Sequence, residues 1–217
     1  KCLLPTYDVF DEDRYFEPAA APTVVEFAGK RIGITICEDI WTEDYLEIPF
    51  YDRNPVDELA GKGIDLILNL SASPYHLGKP AQRRSMIGAI ARSTKVPVVY
   101  CNAIGGQDQL VFDGHSLVVG SNGRTITQFA GFEESCRTID PFLTTENDDA
   151  AEEADASQLY RALVLGLRDY AQKSGFTSAC LGLSGGIDSS AVAALAAKGY
   201  QSSGLLATAT GGKAILC

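Results

Sequence analysis

Two segments carry residues whose types and spacing could do chemistry. Cys37 ends the apolar run RIGITI (Arg31–Ile36) and is followed directly by Glu38, Asp39 and, after Ile40, Trp41. A thiol at a strand end can be presented to a pocket, where a nearby positive charge would favour the thiolate. Taken alone, the same residue reads equally as a small buried hydrophobe. The second segment is SGGIDSS (Ser184–Ser190), set between the apolar run SACLGL and the alanine-rich AVAALAAK. A glycine turn from a strand into a helix gathers backbone N–H groups at the positive helix end, an anion cradle. Gly185 and Gly186 let the backbone approach an oxyanion, and Ser184, Ser189 and Ser190 add hydroxyls. Asp188 is placed for Mg²⁺ bridging phosphate oxygens rather than for bare phosphate. There is no G-x-x-x-x-G-K-[ST], so the lysine that accompanies γ-phosphate transfer is missing.

The elements that must position these groups are legible as patterned runs. Strands are expected at Val24–Phe27, Arg31–Ile36, Ile64–Leu70, Val96–Tyr100, Ser116–Val119 and Thr125–Phe129, each closed by turn or polar residues. Their near-continuous apolar character points to a sheet covered on both faces. Pro55–Lys62 and Ala81–Lys95 carry apolar residues at helical spacing. From Glu133 to Asp155 the composition turns acidic, with Pro141, and reads as a linker or surface crossover. Ser157–Lys173 then reads as a helix with Ser157 as cap and Gly175 as stop. Ser178–Leu183, the glycine turn and a helix at Ala191–Lys198 open a βαβ unit, with the next strand expected at Ser202–Thr208.

Composition narrows the classes. The chain has 217 residues, 46% hydrophobic and 21% charged, with net charge −10. Such an acidic balance argues against a nucleic-acid or anionic-membrane surface. No apolar run reaches the length of a membrane span, and no secretory leader pattern is present, which indicates a cytoplasmic protein. Six cysteines without a CxxC pair read as reduced thiols, and two histidines, His76 and His115, argue against a multi-His metal site. The lack of an initiator Met and the abrupt GGKAILC end read as cuts.

SGGIDSS resembles the SGGxDS signature of the ATP-pyrophosphatase superfamily, whose members split ATP between the α- and β-phosphates. GITICEDIW, KCLLPTYDVFDEDRYF and NLSASPYHLGKPAQR resemble the nucleophile strand, the lysine segment and the following strand and loop of the nitrilase (carbon–nitrogen hydrolase) superfamily. That resemblance implies a Glu–Lys–Cys site: Cys37 as nucleophile, Lys1 stabilising the oxyanion, and the Glu38 N–H completing the oxyanion hole. The glutamate base would lie upstream of Lys1. Glu38 is no substitute, and the family pattern does not use Glu12 or Glu17, so the chain alone is expected to be a poor amidase or an inactive one. By the same resemblance Tyr7, Ser73 and Lys79 line a glutamine pocket, Lys79 standing where some relatives place an Arg.

An amidase followed by SGGxDS, with CNAIGGQDQLVFDGHS and ALVLGLRDYAQKSGF alongside, is similar to the glutamine-dependent NAD⁺ synthetases. That likeness implies an α/β fold: a partial nitrilase-like α-β-β-α sandwich over 1–132, an acidic linker over 133–156, and the start of a Rossmann-like ATP-pyrophosphatase domain over 157–217. It implies ATP and Mg²⁺ as cofactors, glutamine and deamido-NAD⁺ as substrates, and a homo-oligomer. A stand-alone carbon–nitrogen hydrolase and a non-catalytic piece remain the alternative readings.

Overall fold

The computed structural model describes residues 1–41, 51–143 and 153–200, and the backbone alone of 201, 207–210 and 213–216. The chain sorts into two compact units, one of residues 1–73, 78–103 and 114–152, the other of 74–77, 104–113 and 153–217.

The first unit is built on a sheet of six strands: β1 (Thr23–Phe27), β2 (Lys30–Ile36), β3 (Leu66–Ser71), β4 (Val98–Asn102), β7 (Leu117–Val119) and β8 (Thr125–Gln128), adjacent in that order. β2, β3 and β4 are parallel, with Ile34 opposite Leu68 and Leu68 opposite Val99; β1, β7 and β8 run antiparallel at the flanks. The parallel strands are joined by α1 (Pro55–Ala60) and α2 (Lys79–Thr94). α1 starts on a well-made cap: Asn54 Oδ1 accepts from the Val56 and Asp57 N–H groups, and Pro55 fills the first helical position.

Val56 and Leu59 of α1 and Met86, Ile87, Ile90 and Ala91 of α2 bury against Ile67, Val98, Tyr100, Leu117 and Val119. The approach is close at Gly33, where a Cβ would lie 3.0 Å from Leu59 Cδ2. The opposite face differs from the expectation of two covered faces. Val25, Phe27, Ile36 and Leu70 share that face by register and are exposed. Each helix observed begins or ends within a few residues of the expected span, because apolar spacing fixes the middle of a helix better than its caps do.

The second unit holds an element that sequence patterning missed, a hairpin of β5 (Ile104–Gln107) and β6 (Leu110–Asp113). Its IGGQDQL stretch looks like a loop because glycine and Asp have low strand propensity. The pairing is held instead by α3 (Asp155–Lys173): Asp169 Oδ2 accepts from the Gly106 N–H at 2.7 Å. A Cβ at Gly106 would come within 2.9 Å of Gly166 Cα, so that position has no room for more than glycine without movement.

Ser157 is not the cap of α3. Ala154 takes that place, and Ser157 lies in the first turn with its hydroxyl bonded to Glu153. The stop at Gly175 is as expected in kind: φ is +71° and the following Phe176 N–H bonds to the Ala171 carbonyl. The strand expected over Ser178–Leu183 is reduced to β9 (Ala179–Cys180), and α4 (Ile187–Gln201) starts inside the glycine motif rather than at Ala191. Of the strand expected at Ser202–Thr208, residues 202–206 lie outside the described residues, as do 144–152 of the acidic stretch. β10 (Ala207–Thr210) and β9 both pair antiparallel with β11 (Lys213–Leu216), so β9 and β10 are parallel but not neighbours. The simple βαβ pairing of the sequence reading is thus interrupted by β11. Among the described residues no helix is long and apolar enough to cross a membrane.

Candidate functional site

The three parallel strands of the first unit end at Ile36, Ser71 and Asn102, and the candidate residues gather where those ends open. Cys37 follows β2 on a short 3₁₀ turn, Cys37–Ile40, and has φ +49°. A non-glycine residue in that region is strained, and such strain is found where a side chain must be aimed. The turn is tied by Asp39, which is buried. One carboxylate oxygen accepts from the Cys2 and Leu3 N–H groups, each at 2.8 Å, and the other accepts from the Ile36 N–H at 3.0 Å. A single carboxylate therefore fixes the segment carrying Lys1 to the turn carrying Cys37.

Lys1 is ion-paired with Glu12, and its charge acts on the Cys37 thiol. Burial raises the thiol pKa above its ordinary value; Lys1 and an approach from the Ala72 backbone N–H oppose that, whereas Glu38 and Glu12 reinforce it. Glu38 is buried, and burial holds its carboxyl above the usual range. Its Oε1 accepts from Tyr7 Oη at 2.7 Å and from Tyr51 Oη at 3.4 Å. Burial first, then these bonds, raise both phenols, so they stay neutral donors. Lys79 opens α2, with Nζ 3.8 Å from the Trp41 ring centroid, and its charge favours the ionised form of Glu38.

Ser73 follows β3 and is buried; its N–H donates to Asn102 Oδ1 at 2.9 Å and its carbonyl accepts from Arg83 Nη2 at 2.8 Å. The structure thus brings Lys1, Tyr7, Cys37, Glu38 and Lys79 into one electrostatic cluster, and Ala72, next to Ser73, joins it through the thiol. Glu17 is exposed.

Sequence reasoning missed Asp39, Tyr51 and Arg83, and left Glu12 unused. Arg83 could have been found: with Met86, Ile87, Ile90 and Ala91 it completes a stripe at helical spacing, which places it on the buried face. The others are long-range partners with no local signal.

The loop Ser184–Ser190 is built differently. All of it is open to solvent except half-buried Ser189. Gly185 has φ +85°, and a Cβ there would meet open space, so its requirement is conformational. Ser189 Oγ lies 3.1 Å from Ser184 Oγ and accepts from the Ser184 N–H at 3.3 Å. Ser190 Oγ donates to the Gly186 carbonyl at 2.9 Å. These bonds fold the loop over the start of α4, where Asp188 stands exposed on the first turn. Among the described residues no group of three or more His, Cys, Asp or Glu could hold a metal. A single acid with phosphate oxygens is nevertheless a usual Mg²⁺ arrangement.

Comparison with known proteins adds the following. The NAD synthase family profile matches residues 159–210. The glutamine-dependent NAD⁺ synthetase of Synechocystis is 46% identical over 202 residues, covering 90% of this chain and 36% of the relative. That of Thermotoga maritima is 39% identical, covering 90% and 39%. The solved glutamine-dependent NAD⁺ synthetase of Acinetobacter baumannii, in complex with ADP, superimposes with a TM-score of 0.81 at 37% identity, covering 92% of this chain and 37% of that one. The chain therefore spans well under half the length of the relatives it matches. The carbon–nitrogen hydrolase profile matches residues 3–146, most of the chain, and with the Cys37 turn at the end of its parallel strand the protein belongs to the carbon–nitrogen hydrolase family.

Proposed function

We propose that the chain is part of a glutamine-dependent NAD⁺ synthetase. In this reading 1–132 belong to the glutaminase domain, 133–156 form a linker, and 157–217 begin the ATP-pyrophosphatase domain. The observation that carries the reading is the joining of Lys1 and Cys37 through Asp39 at one strand end, in a chain that also holds SGGIDSS.

Cys37 attacks the side-chain amide carbon of glutamine, forming a thioester and releasing ammonia. The negative charge on the tetrahedral oxygen needs donors fixed in advance, supplied by Lys1 Nζ and the Glu38 N–H. Tyr7, Ser73 and Lys79 hold the amino-acid end of glutamine, the Glu38 carboxylate orienting Tyr7. Lys79 offers the α-carboxylate a point charge rather than a bidentate fork. The family's glutamate base has no assigned counterpart: among the described residues Glu12 is committed to Lys1 and Glu38 to two tyrosines.

In the second half, the N–H groups and hydroxyls of Ser184, Gly185, Gly186, Ser189 and Ser190 would hold ATP phosphates, and Asp188 would hold Mg²⁺. Bound ATP would supply the AMP group that activates the carboxylate of deamido-NAD⁺, pyrophosphate leaving, and ammonia adding to that acyl carbon would expel AMP. The residues fit the phosphates because the helix end and Gly185 face open space. A cytoplasmic, homo-oligomeric enzyme is part of the same proposal, consistent with five free cysteines among the described residues.

The test is acid-quenched intact mass after incubation with glutamine. A γ-glutamyl adduct that maps to Cys37 and is absent in Cys37→Ser is expected. Because the glutamate base has no counterpart here, the adduct is expected to build up slowly; an adduct on another cysteine, or one that persists in Cys37→Ser, contradicts the reading.

A further inference from the structure

Trp41 closes the turn that begins at Cys37. Its N–H donates to the Glu38 carbonyl at 2.9 Å, and the residue, 8% exposed, belongs to the core cluster that holds Ile40, Leu59 and Met86. Lys79 Nζ sits over the ring, 3.8 Å from its centroid. A cation within about 6 Å of an indole face is attracted by the ring's quadrupole, and more strongly where water is excluded. The position of Lys79 calls for such a partner. It is the first residue of α2, where the helix's own positive end disfavours a cation, and its flexible stem gives the ammonium no fixed place. A ring face, unlike a carboxylate, holds an ammonium without cancelling its charge. The charge of Lys79 acts on Glu38 as well, so the ring is one of its partners. Trp41 follows Cys37 by four residues on one turn, which Asp39 ties to the Cys2, Leu3 and Ile36 N–H groups. The same turn therefore sets the place of the thiol and, through the ring, the place of the ammonium.

We propose that Trp41 is a positioning residue that sets the specificity of the Cys37 site: its ring fixes the Lys79 ammonium, so that the site prefers amides carrying a carboxylate at their far end. This rests on the glutaminase reading, in which Lys79 meets the α-carboxylate of glutamine. A lone ammonium has no direction of its own, and the ring supplies the fixed geometry that a guanidinium fork would otherwise bring.

The experiment compares how glutamine and butyramide, the same amide without the amino-acid end, protect Cys37 of the whole chain from iodoacetamide, read by peptide mapping. In Trp41→Leu the half-protecting concentration of glutamine is expected to rise about tenfold, and that of butyramide by less than about twofold. Trp41→Phe restores a ring face and should bring glutamine back to within about threefold of wild type. Lys79→Met should match Trp41→Leu, and the double variant should add less than about twofold to either, because the ring acts through the ammonium. Equal losses for the two amides, or losses that multiply in the double variant, would mean that Trp41 only fills the core and would overturn the proposal. Should Trp41→Leu not fold, Trp41→Phe and its double variant with Lys79→Met decide by the same comparison. Trp41 is the chain's only tryptophan, so its emission reads the contact without any ligand. That emission is expected to change in Lys79→Met and not in Lys95→Gln, at the other end of α2; an unchanged emission in Lys79→Met would also overturn the proposal. Glutamine that protects wild type no better than butyramide would count against the glutaminase reading, and the emission comparison alone would then decide the contact between ring and ammonium.

Discussion

Cys37 and Gly185 occupy the same uncommon backbone region, with φ of +49° and +85°, and they occupy it for opposite reasons. At Cys37, the proposed nucleophile, the side chain would do the chemistry, and a residue with a Cβ is held there against its preference by a surround that includes Asp39. At Gly185 the backbone is the proposed phosphate contact, and glycine takes the conformation without strain. The first site is half-buried and assembled from segments more than thirty residues apart, as in the bonds from Cys2 and Leu3 to Asp39. The second is contiguous, solvent-open and self-bonded within seven residues. Strain at the nucleophile is tolerated only because distant contacts fix the turn, so damage to those contacts should reach Cys37, whereas damage to the loop should stay local.

The largest expected effect is at the nucleophile. Cys37→Ser should lower labelling by a glutamine-like electrophile more than a hundredfold, read by intact mass, while ATP–Mg²⁺ binding measured by calorimetry is unaltered. Next is Asp39→Ala, which strands three N–H donors, at least two of them buried. At roughly 1–3 kcal/mol for each buried unmet donor, the loss should be about 3 kcal/mol or more in urea unfolding, with Cys37 labelling lost as well. Ser189→Ala, in the open loop, should move stability by less than about 0.5 kcal/mol. If the two losses are similar, the contrast between the sites fails.

Backbone strain gives a smaller, signed pair. Gly185→Ala should destabilise by about 1 kcal/mol, whereas Cys37→Gly should be about 1 kcal/mol more stable than Cys37→Ala. Thermal unfolding of the three variants measures both signs. The smallest effects are electrostatic. The Cys37 thiol is raised by burial, so labelling should increase with pH through a midpoint above that of an ordinary thiol. Lys1 favours the thiolate, so Lys1→Met should push the midpoint higher. Glu12 disfavours it, so Glu12→Gln should bring it down.

The same contrast explains what was legible in the sequence. The loop could be read directly, since glycine, serine and Asp at fixed offsets between an apolar run and a helix state their own geometry. Even there, α4 proved to begin at Ile187, within the motif. The parallel strands were legible from apolar runs such as IDLILNL, and their ends located Cys37 and Ser73 correctly. The hairpin Ile104–Asp113 was not, because its glycines pair only when Asp169 of α3, far along the chain, supplies an acceptor. Nor was the role of Asp39, which in sequence is one more acid after Cys37. Long-range hydrogen bonds leave no period, and this site is made of them.

The central claim is that Cys37, alone among the cysteines, is a glutamine-directed nucleophile. A diazoketone analogue of glutamine, applied to the chain with and without excess glutamine and followed by peptide mapping, tests it most directly. The account predicts labelling confined to Cys37 and suppressed by glutamine. Labelling of Cys101 or Cys180 at the same rate as Cys37, or labelling that glutamine does not slow, would contradict it.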